Sequence, residues 1–366
     1  MKLAFNLMSL PGNRVYGVGM FLREMCAHAK RELEARDASL KVFHHADCDP
    51  SALFNLAPSD RIRLHPVAGV TSRIRRVLWE QFRLPRLLDG ADVLYSPNNI
   101  NPLRLPARTR SVVTIHDLLS FDDVTRFGRV QQAYLRYFTR ESALRSARVV
   151  TVSDTSAREI RTRLSMPPDR ISVISNIVEP PAGIATSGSP IRKSFVIVAS
   201  VHADKRIDLA LRGFQRFAVA RPGYSLEILG SDHGALSDLQ DLSAQLNLGD
   251  SVRFRGYVDD SVKWDTLSSS VALILFGRKE GFGIPVLEAM AVGRPSIVAN
   301  DGALPEVVGN AGFVVDPEDA EKVAQAMEAA AADIDAFKPA ISRRLAHFDP
   351  AMQRRNFWDL LSAVAS

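Results

Sequence analysis

Two hydrophobic patterns alternate along the chain. Short, mostly apolar runs recur at residues 2–8, 111–115, 148–152, 194–199, 271–276 and 295–299. A strand covered on both faces reads this way, because neither face has to meet water. Between these runs lie stretches whose apolar residues return every three or four positions, at 20–34, 134–146, 156–164, 208–219, 320–332 and 352–364. That spacing predicts amphipathic helices. Strand and helix in regular succession predict an α/β fold with mostly parallel sheets.

The rhythm breaks at EPPAGIATSGSP, residues 179–190, which is rich in Pro, Gly and Ser and has no periodicity. We read it as a linker. A length of 366 residues exceeds what one α/β core usually holds. The expectation is two domains, residues 1–182 and 191–344, with a terminal helix in 345–366 packing back on the first.

The stretch VALILFGRKEGFGIPVLEAMAVG, residues 271–293, carries the most chemistry. An apolar strand leads through a glycine-containing turn into a helix that Pro285 can open, since proline's missing N–H costs nothing there. Unpaired N–H groups at such a helix start, beside Gly283, suit a phosphate-sized anion. Glu280 in the turn and Glu288 one turn into the helix suit hydroxyl donors, because a carboxylate only accepts. Each could equally be an ordinary solvated charge.

Other candidates sit at predicted strand ends, where open sheets place their ligands. His116 follows one strand, with capping or packing as the plain alternative. Lys205 and Arg206 follow another and could meet phosphate oxygens or simply water. Gly17 and Gly19 mark a helix start, where either a tight turn or a close ligand would explain the missing side chains. Asp122 and Asp123 read as a solvated loop.

Charge modifies this picture in one place. The formal charge is +5, and Arg73, Arg75, Arg76, Arg83 and Arg86 fall close together. Trp79, Phe82, Leu87 and Leu88 alternate with them, which predicts a helix packing its apolar side inward and showing arginines outward. Such a face suits an anionic membrane surface or a phosphorylated ligand; no zinc-finger, RNP or helix-turn-helix pattern accompanies it, which argues against nucleic acid. The two cysteines, Cys26 and Cys48, match no metal spacing and fit a reduced, cytoplasmic protein. The run at residues 2–8 reads as a strand and not as a secretion signal, and no apolar run is long enough to span a bilayer. Attachment to the cytoplasmic face of the inner membrane stays open.

The segment EGFGIPVLEAMAVGRPSIVANDGALPEVVGNAGFVVDPED resembles the signature region of retaining, nucleotide-sugar-dependent glycosyltransferases with the GT-B fold, of the GT4 type that includes bacterial surface-polysaccharide and phosphoinositide mannosyltransferases. The resemblance implies two Rossmann-like domains with a deep interdomain cleft, the first on the acceptor side and the second holding the donor. It implies that Glu280 reaches the transferred sugar, that Glu288 grips the ribose, and that Phe282, Gly283 and Ile284 meet sugar or diphosphate through their backbone. Lys205 matches the family's phosphate lysine, while Ser200 stands where an arginine is customary, with Arg206 or His202 as stand-ins. Gly17 and Gly19 resemble the loop near the diphosphate, and His116 the histidine near the anomeric centre. Catalytic roles therefore fall to His116 and Glu280.

DKRIDLAL and LWEQFRLPRLL resemble segments of mannosyltransferases, so the expected donor is GDP-mannose and the acceptor a glycan or lipid-linked oligosaccharide. The alternatives are a UDP-sugar donor on the same fold, or a non-catalytic protein bound to a membrane surface. No cofactor and no metal are expected, because no DxD-type pair stands at a strand end and lysine with helix dipoles can take a cation's place.

Overall fold

In a computed structural model, residues 1–10, 15, 17–88, 90–122, 128–181, 183–184 and 191–366 are described. The chain divides into two compact units: Met1–Asn176 together with Pro350–Ser366, and Ile177–Asp349. Most of the expected linker, like Asp123 and part of the loop before Gly17, lies outside the described residues.

The first unit is built on β1 (Lys2–Asn6), β2 (Ser39–His45), β3 (Ile62–Val67), β4 (Val93–Ser96), β5 (Arg110–Thr114), β6 (Arg148–Thr151) and β7 (Ile171–Val173). They form one parallel sheet in the order β3-β2-β1-β4-β5-β6-β7. The second unit has β8 (Ser194–Val198), β9 (Ser225–Leu229), β10 (Val252–Gly256), β11 (Ala272–Leu275), β12 (Ser296–Ala299) and β13 (Gly312–Val315). Its parallel order is β10-β9-β8-β11-β12-β13. These are two Rossmann-like α/β domains. Helices cover both faces of such sheets, which is why the central strands are apolar throughout: Ala272, Leu273 and Ile274 are all inaccessible to solvent.

The last helix, Pro350–Ala365, packs within the first unit. Phe357 and Trp358 meet Phe5 and Tyr95 in an aromatic cluster, with Tyr95 and Phe357 edge to face at 5.1 Å. The Trp358 Nε1–H satisfies itself on Met25 O at 3.0 Å. Arg354 and Arg110 add polar ties through Glu24 O and Val364 O.

Three expectations are corrected. The helical run at 20–34 is two helices, Gly17–Met25 and Ala29–Ala35, separated at His28, whose φ of 68° is left-handed. Asp122 is buried and ion-paired with Arg163 at 2.8 Å, so it is no solvated loop charge. The basic segment is an α-helical turn, Arg73–Leu78, a π-helical turn, Trp79–Arg83, and a further turn, Leu84–Leu87. Trp79, Leu87 and Leu88 pack on Ala4, Phe43 and Leu94 as expected. Phe82 instead points outward, and the residue that goes inward is Glu80, which accepts a hydrogen bond from Asn6 Nδ2 at 3.0 Å.

Candidate active site

In the second sheet β8 and β11 are neighbours, yet the chain leaves β8 toward β9 on one side and β11 toward β12 on the other. Loops that diverge from adjacent carboxyl ends open a crevice between them. Lys205 lies in the loop after β8 and Glu280 in the loop after β11, and the order of the strands brings them together. Lys205 Nζ stands 2.6 Å from Glu280 Oε1, with about four-fifths of each side chain covered.

Backbone ties hold the Glu280 loop on both sides. Arg278 N donates to Asp204 O at 2.9 Å, Lys279 N to Asp301 Oδ1 at 3.2 Å, and Ala303 N to Glu280 O at 2.9 Å. The loop after β12 can come this close because residue 302 is glycine: a Cβ there would lie 2.6 Å from Glu280 O and 2.7 Å from Glu280 N. A carboxylate fixed by its backbone is preorganised, and it need not be reoriented when charge develops nearby.

Gly283 caps the next helix, Ile284–Ala291, with φ 95°, a conformation that favours glycine. Pro285 follows in the first turn, and Ile284 opens the helix, so the chain presents a helix start to the same loop. Phe282 is buried edge to face on Phe348 at 5.5 Å and anchors the loop from below by packing. Glu288, the fifth residue of the helix, is 3% exposed and lies 2.6 Å from Lys263 Nζ. Burial works against the Lys263 ammonium, but Glu288 and Asp260 outweigh it and raise its pKa above the usual lysine value. A buried carboxylate needs such a partner.

Arg206 is tied to its neighbouring loops. Its Nε donates to Phe276 O at 2.6 Å and its Nη2 to Asp301 Oδ2 at 3.0 Å, so the guanidinium ties the ends of β11 and β12 together. His202 Nδ1 lies 2.5 Å from Asp204 Oδ1 across its own turn. Both candidate stand-ins for the arginine at Ser200 are thus engaged within the loops. Among the described residues no group of three or more His, Cys, Asp or Glu side chains is placed to hold a metal ion.

Gly17, Gly19 and His116 belong to the first unit. Gly17 opens the helix Gly17–Met25, with nothing near the place a Cβ would take, whereas Gly19 is packed on Val15 and Phe54. His116 follows β5; its Nε2 donates to Pro97 O at 3.0 Å and its ring meets Phe21 edge to face at 5.5 Å. A carbonyl can only accept, so the proton is on Nε2. Although the residue keeps a part-exposed edge, burial of the ring pulls its pKa down to about 4, against the bond to Pro97, and the imidazole is neutral near pH 7.

Comparison with known proteins settles the class. The model described as "Glycosyltransferase Family 4" matches residues 17–180, and the model "Glycosyl transferases group 1" matches residues 189–337. The chain is a glycosyltransferase of the GT-B fold. This glycosyltransferase is 29% identical to O-antigen chain mannosyltransferase B of Escherichia coli over 84% of each chain. It is 28% identical to O-antigen chain mannosyltransferase RfbU of Salmonella typhimurium over 65% of each. Anabaena Alr3699/HepE, solved in complex with UDP, superposes with a TM-score of 0.77 at 16% identity, covering 99% of this chain and all of that one. The same Anabaena protein is also solved with UDP-glucose.

Asp301 and Gly302 in the loop after β12, and Lys263 on the helix Asp260–Ser269, complete the surroundings of Glu280 and Glu288 in the second unit and were not foreseen. Asp301 and Gly302 had one signal, their place after a strand. Lys263 had none, since 25 positions and a change of element separate it from Glu288.

Proposed function

We propose that the enzyme moves a hexosyl group, with retention of anomeric configuration, from a UDP-sugar to a glycan or lipid-linked acceptor in surface polysaccharide synthesis in the cytoplasm. The observation that carries this is the meeting of Lys205 and Glu280 at the β8/β11 crossover, next to a helix start. Departure of a nucleoside diphosphate puts negative charge on the β-phosphate and positive character on the sugar. An ammonium has three hydrogens, so Lys205 can keep Glu280 and still turn toward a phosphate, while the N–H groups at Ile284 add the helix dipole. Glu280 faces the sugar hydroxyls, and the buried Glu288 the ribose. With no second carboxylate assigned as nucleophile, the leaving phosphate takes the proton of the acceptor hydroxyl as the new glycosidic bond forms on the same face. On the same reading His116 and the helix start at Gly17 and Gly19 belong to the acceptor side.

The donor is the point on which the first expectation shifts. GDP-mannose was expected, but the solved neighbours named with a bound nucleotide hold UDP or UDP-glucose. Mannosyl transfer remains the second reading, favoured by the two O-antigen relatives. Thermal-shift titration with UDP, GDP and ADP separates them. UDP should raise the melting temperature most; a clear preference for GDP transfers the assignment to GDP-mannose, and indifference to all three contradicts a nucleotide-sugar donor.

A further inference from the structure

The outer side of the Arg73–Leu87 segment is apolar where a covering helix should be polar. Ile74, Leu78 and Phe82 are 73%, 52% and 64% exposed and recur every fourth residue, so they lie in one row. The π-helical turn Trp79–Arg83 winds more slowly than an α-helix, and it keeps Phe82 in that row while Trp79 and Glu80 face the sheet. Arg73, Arg75, Arg83 and Arg86 border the row, all exposed. Among the described residues none of the four is paired with a carboxylate, and the only acid between Ser72 and Leu88, Glu80, is buried.

A second helix of the same unit also carries exposed apolar and basic positions. On Arg129–Arg145 the exposed positions include Val130 at 87%, Tyr137 at 55%, Arg129 and Arg140.

We propose that this face of the acceptor domain docks on an anionic bilayer, with the arginines among the headgroups and Ile74, Leu78 and Phe82 at the acyl boundary. Charge complementarity selects this occupant. A second copy would bring the same uncompensated arginines against themselves, and nucleic acid would leave the apolar row uncovered. The inner side of the segment gives docking a structural address: Glu80 holds Asn6, whose Oδ1 accepts from Met8 N at 3.3 Å, at the start of the loop that leads to Gly17.

The test is sedimentation of the full chain with sucrose-loaded vesicles of phosphatidylcholine, with and without phosphatidylglycerol. Binding should be at least about tenfold tighter to the anionic vesicles and should weaken with salt. Leu78→Ser with Phe82→Ser should lower it about tenfold without changing the melting temperature, since both side chains are exposed; Arg75→Glu with Arg83→Glu should do the same. Phe82→Trp should shift its emission to the blue on anionic vesicles and be quenched by brominated lipid. Equal binding to neutral vesicles, no binding to either, or unchanged binding by the serine variant would overturn the proposal. So would a wild-type dimer that Phe82→Ser converts to monomer, because the row would then be an interface between copies.

Discussion

Replacing Lys263 by Met keeps the length of the side chain and removes its charge, which isolates what the ammonium does for Glu288. The pair is 2.6 Å apart, with 15% of the lysine and 4% of the glutamate side chain exposed. At an effective dielectric of about 20 the gross attraction at that distance is roughly 6 kcal/mol. Part of this offsets desolvation, and stranding a buried carboxylate costs about 3–5 kcal/mol overall. Asp260, 3.2 Å from the same nitrogen but 63% exposed, adds little. Adding Glu288→Gln to Lys263→Met should restore about 2 kcal/mol, because a neutral amide needs no counter-charge. Urea unfolding of wild type, Lys263→Met, Glu288→Gln and the double variant measures all of this. A single-variant cost below about 1 kcal/mol, or strict additivity in the double variant, would refute the reasoning.

Two further outcomes rest on the geometry. His116→Gln should flatten the fall in stability between pH 7 and pH 4: burial holds the imidazole down at about 4, so its contribution is intact above its ordinary value of 6.5 and is lost as pH falls through 4, a difference of up to about 3 kcal/mol by urea midpoints. Parallel profiles would show that the ring is not buried neutral. Gly302→Ala should cost about 1–3 kcal/mol and lower turnover more than tenfold, because its Cβ would press on the backbone of Lys279 and Glu280 at a φ of 57°; turnover within twofold of wild type would remove the loop contact from the account.

The parallel sheets were legible because strands buried on both faces must be apolar throughout, as in residues 271–276, and because Pro285 and the glycines mark the turn and helix start after that strand. What escaped was either a local exception or a tertiary pairing. Nothing in CAHAK announces a left-handed His28, since neither Gly nor Pro is there to mark the break. Phe82 falls inward only on an α-helical frame, and the π-helical turn alters the frame within a few residues. Lys205 and Glu280 were each visible as strand-end residues, but their contact depends on β8 and β11 being adjacent, which spacing along the chain does not encode. Lys263 meets Glu288 only through the packing of two helices. Arg206 was visible as a cation at a strand end, but its bridge between Phe276 O and Asp301 again depends on the adjacency of β11 and β12.

The account stands or falls on Glu280. The decisive measurement is transfer from the donor identified by nucleotide screening to a lipid-linked acceptor, made for wild type and Glu280→Ala alongside calorimetric nucleotide binding. The account predicts that the variant loses transfer by about a thousandfold while its nucleotide affinity changes by less than about tenfold. Transfer at the wild-type rate by Glu280→Ala would contradict it.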